Sequence, residues 1–220
     1  MKRYIKSAIS DVSNEELDTR WDLAKDPNTT EYALVQLADD EDCAIRDKVA
    51  QNPNAPTEAL LILASDRSEY VRKRVAEHPN VTPEILSFMS DDKSSTVLWS
   101  VANNPKTPLS VLEKLSDNAN ESARGGVPYN PNVSTDLLVK LSTDENCFVR
   151  WAVAHNPDTP KEVILDMMHD QDTSVAEMAM NNKQITNEDL KEYIDNFNED
   201  IPELLRRAKN SLARREILGE

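Results

Sequence analysis

Hydrophobic residues recur along this chain in short clusters with helical spacing. In the segment 44–51, the apolar residues Ile45 and Val49 are four positions apart, which places them on one face of an α-helix. A second apolar cluster follows in the segment 57–64. Pro53 lies between the two segments, and the residue before a proline avoids helical backbone angles. The pattern therefore predicts two short helices joined by a turn.

This two-helix unit recurs with a period of 26 residues. A proline marks the same position in six successive units: Pro27, Pro53, Pro79, Pro105, Pro131 and Pro157. An apolar column keeps the same register: Leu34, Leu60, Leu86, Leu112, Leu138, Ile164 and Leu190. One unit cannot bury its apolar face alone, so a fixed period in this range predicts that neighbouring units stack. We expect an all-α solenoid of about seven repeats with terminal caps.

The repeats follow the pattern R-x-x-V-A-x-N-P-x-T-P-x-x-x-L-x-x-L-x-x-D over residues 20–200. This pattern resembles the leucine-rich repeat variant family, whose short helices form a right-handed superhelix related to HEAT-like arrays. The resemblance implies a right-handed α-solenoid here. The founding member of that family also carries an iron–sulfur cluster on clustered cysteines. Cys43 and Cys147 lie four repeats apart, so we expect no cluster, no other metal site and no cofactor.

We predict a single solenoid domain with three parts. Residues 1–15 form an N-terminal cap, residues 16–201 form the repeats, and residues 202–220 form a C-terminal cap helix with its leucines largely on one stripe. Caps are expected because an array must cover its outermost apolar faces. The basic amphipathic character of the last segment leaves a second interpretation open, in which this helix contacts a partner.

Two polar columns are predicted to be structural. An arginine column, expected to pair with a column of aspartates, contains Arg46, Arg72, Arg124 and Arg150. An asparagine column before the prolines, expected to form hydrogen bonds at helix ends, contains Asn52, Asn104, Asn130 and Asn156. Charges and amides that recur at repeating positions favour a structural ladder over a binding site.

An aromatic column is the most informative feature. All three tryptophans, Trp21, Trp99 and Trp151, share one column that faces away from the predicted core. Tyr129 and His155 lie one helical turn further along, on the same helix face as this column. We predict that these residues of repeats four to six form an exposed surface for a partner protein or peptide.

The fifth repeat is unusual within this surface. Gly125 and Gly126 each weaken a helix by about 1 kcal/mol relative to alanine, and Pro128 removes a backbone hydrogen bond. We predict an irregular segment in which the glycines form the floor of a slot between Trp99 and Trp151. The alternative is a drifted copy that the array tolerates.

The charge of the chain narrows the class of partner. The net charge is −15, and because each end carries +3, residues 7–205 carry −21. This field repels nucleic acid and acidic membranes and attracts basic proteins. The absence of a long apolar run, together with only two cysteines, favours a cytoplasmic setting without a membrane segment.

No motif for catalysis stands out in the sequence. We therefore predict a non-enzymatic protein-binding or scaffold module. Two alternatives remain open. The tryptophan column is similar to an arrangement in HEAT-like DNA glycosylases, although no residue motif matches them, and a purely structural spacer would need no binding surface. The repeat pattern also leaves open whether the aromatic column lies on the concave or the convex side.

Overall fold

A computed structural model of the chain describes residues 16–196 and 202–218. These two ranges contain α-helices, one 3₁₀ turn and connecting loops, without a β-strand. The predicted all-α class is therefore confirmed for this part of the chain. The predicted N-terminal cap, residues 1–15, lies outside the described residues.

Seven repeats each contribute two helices. The first helices of the repeats are α1 (Leu17–Lys25), α3 (Cys43–Gln51), α5 (Glu69–Ala76), α7 (Ser95–Asn103), α9 (Glu121–Gly126), α11 (Cys147–His155) and α13 (Thr173–Met180). The second helices are α2 (Glu31–Leu37), α4 (Thr57–Leu63), α6 (Pro83–Met89), α8 (Leu109–Ser116), α10 (Thr135–Leu141), α12 (Lys161–Met167) and α14 (Asn187–Asp195). A longer helix, α15 (Pro202–Leu218), follows the seventh repeat.

Local sequence explains where these helices begin and end. Helix α3 stops at Asn52, whose extended backbone is the conformation favoured before a proline. The side chains of Thr30 and Ser134 accept hydrogen bonds from the third amide of α2 and α10, respectively, and so satisfy backbone groups at the helix start. Pro83 occupies the first turn of α6, where the missing N–H costs nothing.

The chain forms two compact units, Met1–Val111 and Leu112–Glu220, and the boundary falls within α8. In the first unit, α1, α3, α5 and α7 pack successively on one another. In the second unit, α9, α11 and α13 do the same. The apolar column of the second helices is fully buried, as at Leu60 and Leu138. This stacking of helix pairs is the architecture of an α-solenoid.

A ladder of buried ion pairs runs along the repeats. Each pair joins an arginine to the aspartate 20 residues later: Arg20–Asp40, Arg46–Asp66, Arg72–Asp92, Arg124–Asp144 and Arg150–Asp170. The Arg72 guanidinium donates to both Asp92 carboxylate oxygens at 2.6 and 2.9 Å, and to the backbone carbonyl of Asp66 at 2.7 Å. Because the Asp66 carboxylate accepts from Arg46, Asp66 connects two arginines of successive repeats, and Asp40 and Asp144 do the same.

The ladder stabilises the ionised form of its acids. Burial acts to raise the pKa of the Asp92 carboxyl, but hydrogen bonds from Arg72 and from the Ser94 amide outweigh it and leave this pKa below its usual value. The pKa of Asp144 is lowered in the same way by Arg124. These carboxylates remain charged inside the protein because they are paired.

The ladder changes in a concerted way where an arginine is missing. The fourth repeat has Leu98 at the arginine position, and the residue 20 positions later is Asn118. The seventh repeat has Ala176, and the residue 20 positions later is Asn196. The acid is therefore absent wherever its arginine is absent, which avoids an unpaired buried carboxylate.

The asparagine column forms a second ladder. The Asn52 side-chain amide donates to the Ala24 and Asp26 carbonyls at 2.9 and 3.0 Å. Asn104 donates to the carbonyl of Ala76 at 2.7 Å, and Asn156 donates to that of Pro128 at 2.5 Å. These amides satisfy carbonyls at the end of the preceding first helix, which otherwise lack an intrahelical partner. Successive repeats are thereby held in register.

The third repeat has His78 in place of asparagine. His78 is buried, and its Nε2 donates to the Asn52 carbonyl at 2.9 Å while its Nδ1 accepts from the Asn80 amide at 3.0 Å. This arrangement requires the neutral ring. Burial lowers the pKa of His78, and the nearby Lys106 lowers it further, against an opposing effect of the Asn52 carbonyl.

This lowered pKa predicts a stability loss in mild acid. As the pH falls, His78 is protonated first in the unfolded chain, near pH 6.5. The stability that comes from the neutral His78 is therefore fully present above that pH, and it is lost as the pH falls towards the lower pKa of His78 in the folded protein. The His78→Asn variant introduces the asparagine that five of the other six repeats have at this position, and it is expected to lack this loss. Urea unfolding between pH 7.5 and pH 5 measures the free energy of unfolding of the wild type and of the variant. The difference between the two proteins changes by at most about 1.4 kcal/mol per pH unit. Parallel pH profiles of the two proteins would contradict this role of His78.

Helix α15 takes the place of an eighth repeat at the end of the second unit. It packs on α13 and α14 and buries Leu204 and Ala208. The Arg215 guanidinium donates to the carbonyl of Met180 at 2.8 Å, to that of Asn182 at 3.2 Å and to that of Ile185. Met180 and Asn182 occupy the repeat positions of Ala24 and Asp26. The carbonyls of Ala24 and Asp26 accept hydrogen bonds from Asn52 of the next repeat. Arg215 therefore supplies the donors that a further repeat would have provided.

Candidate interaction surface

Aromatic residues form a stripe on the solvent-facing side of α11. Its positions Val149, Arg150 and Val153 are buried, which fixes the opposite side of the helix as the outer one. Trp151 and His155 lie on that outer side, four residues apart. Phe148, three residues before Trp151, belongs to the same side and is 42% exposed. The helix thus presents three aromatic rings over two turns.

Two of these rings, those of Trp151 and His155, pack with Tyr129. The imidazole of His155 stacks on the Trp151 indole, with ring centroids 5.3 Å apart and planes inclined by 10°. The Tyr129 ring lies 5.9 Å from the same imidazole at an angle of 43°. Burial raises the pKa of the Tyr129 hydroxyl, so this group is uncharged at neutral pH. The structure therefore brings together Tyr129, Trp151 and His155, as the helical spacing predicts.

The accessibility of the cluster differs from the expectation. Tyr129 and Trp151 are half-buried, and only His155 among the predicted aromatic residues of this unit is exposed. The rings of Tyr129 and Trp151 each contact the His155 imidazole. We call these three residues, together with Phe148 on the same side of α11, the aromatic cluster.

The first helices of the second unit, α9, α11 and α13, pack successively on one another. The aromatic cluster lies on the solvent-facing side of this layer of first helices.

Trp99 belongs to the first unit, and its ring is half-buried. It borders a depression of about 190 Å³ that is also lined by Glu77, Ser100 and Asn103. The Ser100 hydroxyl donates to the Glu77 carboxylate at 3.0 Å there. The predicted slot between Trp99 and Trp151 would involve both units and stays a prediction.

The two glycines of the fifth repeat do not form an accessible floor. The segment is irregular, as predicted, because α9 ends at Gly126 and continues as a 3₁₀ turn over Val127–Tyr129. However, Gly125 and Gly126 are buried, so the prediction that they contact a partner is wrong. The Pro128 carbonyl accepts a hydrogen bond from the Asn156 side chain of the next repeat, so this part of the irregular segment has a structural role.

The described residues contain no group of three or more histidine, cysteine or acidic side chains that could hold a metal ion. Cys43 and Cys147 are both exposed thiols without a disulfide. Within the same part of the chain, none of the helices combines the length and the apolar character that crossing a bilayer demands.

The stacked helix pairs and their hydrogen-bond ladders define an α-helical repeat protein of the solenoid class. Its structure is similar to a solved leucine-rich repeat variant described as having a novel repetitive structural motif, with a TM-score of 0.51 and 24% identity over 82% of this chain and 81% of that chain. The resemblance predicted from the repeat pattern is confirmed as a resemblance of fold. Similarity at this level does not transfer an activity or a partner.

A second solved structure, that of YibA from Escherichia coli, covers 97% of this chain and 99% of that chain at 18% identity, with a TM-score of 0.46. No protein-family profile matches the chain, and no curated protein sequence matches it.

Proposed function

We propose that this repeat scaffold is a non-enzymatic binding module whose aromatic cluster contacts a protein segment. The observation that supports the proposal is the cluster itself. Solvent-facing positions of α11 hold Phe148, Trp151 and His155, whereas the same positions in α13 hold Ser174, Glu177 and Asn181. Aromatic rings at such positions commonly supply the binding energy of protein interfaces. The hydrogen-bond and ion-pair ladders between repeats do not involve these aromatic rings.

The chemistry of the partner follows from the charge of the chain. A chain with a net charge of −15 attracts basic segments and repels acidic ones. Arginine and lysine side chains also bind favourably over indole and phenol rings, by about 0.5–2 kcal/mol each. We therefore propose that the cluster binds a protein or peptide with exposed basic residues. The cytoplasmic setting predicted from the unpaired cysteines is part of this proposal.

A capture experiment from a lysate of the source cell tests the proposal. The wild-type protein is compared with Trp151→Ala and with Trp21→Ala, which changes the same column in the first unit. The Trp21 ring already has a cationic partner in its own chain, because Lys48 lies 5.2 Å from its centroid. We expect a protein that the wild type and Trp21→Ala retain and that Trp151→Ala loses by at least about tenfold. Circular dichroism confirms that all variants are folded.

The alternatives predict other results. A structural spacer predicts equal capture by all variants, with effects only on thermal stability. A role on DNA predicts an affinity for duplex DNA that falls steeply with salt concentration. A Trp99→Ala variant shows separately whether the tryptophan of the first unit contributes to binding.

A further inference from the structure

The second helices of the first unit expose a group of apolar side chains. Tyr32 on α2, Leu61 and Ile62 on α4, and Phe88 on α6 are 59%, 53%, 37% and 57% exposed, respectively. Ile62 and Phe88 are 26 residues apart and therefore occupy the same position in successive repeats. These side chains lie on the side of the second helices that faces away from the buried leucine column. We call these four residues the apolar face.

Carboxylates lie near both ends of these helices, and two exposed cations, Arg67 and Lys93, follow α4 and α6. The first turn of each helix carries an exposed glutamate, at Glu31, Glu58 and Glu84. Two exposed aspartates, Asp39 and Asp91, follow the ends of α2 and α6. An apolar surface with an acidic rim fits a segment that is apolar on one side and basic on the other.

A groove beside the apolar face shows the same chemistry. It has a volume of about 650 Å³, and Val35 and Ile62 line it together with Asp39 and Glu41. Arg20, which also lines the groove, forms an ion pair with Asp40 at 3.0 Å and lies 3.5 Å from the Glu41 carboxylate. Asp39 remains as an exposed acid at this apolar edge.

The equivalent positions of the second unit lack this combination. Val139 and Leu165 are exposed at the column of Leu61. Lys140, however, occupies the column of Ile62 and Phe88, and Lys161 begins α12. The mixed charge makes this part of the second unit a matched control for the first.

We propose that the apolar face of the first unit binds an amphipathic basic helix of another protein. The apolar side of that helix covers Leu61, Ile62 and Phe88, and its basic residues meet the glutamates at the rim. Amphipathic helices bind apolar surfaces through anchors spaced at i, i+3, i+4 and i+7. This binding site is separate from the aromatic cluster and does not depend on it.

Fluorescence anisotropy with a synthetic peptide tests the proposal. The probe is a fluorescein-labelled helix of about 14 residues built from leucine and lysine, with leucine at helical spacing. A peptide with glutamate in place of lysine and a scrambled leucine–lysine peptide serve as comparisons. The full-length wild type is titrated beside Leu61→Gln/Phe88→Gln, Glu58→Gln/Glu84→Gln and the control Val139→Gln/Leu165→Gln.

We expect the wild type, the control and Trp151→Ala to bind the amphipathic basic peptide equally. Each of the two variants of the apolar face is expected to bind it at least about tenfold more weakly. No binding by the wild type, or equal binding by all variants and by the scrambled peptide, would overturn the proposal.

Two further measurements identify other occupants of the face, and each would also overturn the proposal. In one, the peptide binds only to the variant Lys2→Glu/Arg3→Glu/Lys6→Glu, in which the basic residues near the N-terminus become acidic. This result would mean that the chain's own N-terminal segment covers the apolar face. In the other, light scattering shows a wild-type dimer that Leu61→Gln/Phe88→Gln converts to a monomer, which would mean that a second copy covers it.

Discussion

Replacing Arg72 by leucine is expected to destabilise the protein by about 3–5 kcal/mol, because it leaves the Asp92 carboxylate buried without its cation. Both side chains of this pair are only 7% exposed. The double variant Arg72→Leu/Asp92→Asn is expected to lose much less, about 1–3 kcal/mol. It reproduces the Leu98 and Asn118 combination of the fourth repeat. An asparagine oxygen still accepts the bond from the following turn, as Asn118 accepts from the Asn120 amide at 2.9 Å.

Urea unfolding followed by circular dichroism measures this difference. The remaining cost of the double variant comes from the Asp66 carbonyl, which loses the 2.7 Å bond from Arg72. A control variant, Arg74→Leu, removes an exposed arginine two positions away and is expected to change stability by less than about 0.5 kcal/mol. If Arg72→Leu/Asp92→Asn is no more stable than Arg72→Leu, the unpaired Asp92 carboxylate is not the cause of the instability. The joint loss of arginine and acid in the fourth repeat would then need another explanation.

The second large effect is expected at the end of the second unit. Replacing Arg215 by alanine removes the donors to three carbonyls, those of Met180, Asn182 and Ile185. Hydrogen bonds from a charged donor contribute about 1.5–3 kcal/mol, so we expect a loss of about 2–4 kcal/mol. The loss should be local, because each repeat of a solenoid contacts only its neighbours.

Amide hydrogen exchange tests this locality. In Arg215→Ala, faster exchange is expected in α13, α14 and α15, with α9 and α10 unchanged. The neighbouring exposed Arg214 supplies the matched control, and Arg214→Ala is expected to exchange like the wild type. Faster exchange over the whole second unit would show instead that α15 stabilises all its repeats together.

Much of the helical fold could be predicted from the sequence because its signals are local. Asn52-Pro53 ends a helix through backbone sterics that act between adjacent residues, and the same dipeptide position recurs every 26 residues. Apolar spacing identified the buried positions, such as Ile45 and Val49. One strong signal was missed: the loss of the acid wherever the arginine is lost is visible in the sequence, as at Leu98 and Asn118.

The candidate site could be predicted only in part. Spacing along one helix places Trp151 and His155 on the same side of α11, and the repeat period brings Tyr129 next to them. Phe148 could have been added from the same spacing, three residues before Trp151. The burial of Gly125 could not be predicted, because it depends on what packs around that helix and not on the helix's own residues.

The sequence by itself determined the repeat length, the helix pairs, the buried columns and the side of each helix that is left outside. These properties arise from backbone sterics and apolar periodicity, which act within a few residues. Only the tertiary structure decided that the rings of Tyr129 and Trp151 both contact His155, that the glycines of the fifth repeat are buried, and that Arg215 supplies the donors of a further repeat. Those outcomes depend on distances between stacked helices, which are set by side-chain packing between repeats and leave no local pattern along the chain.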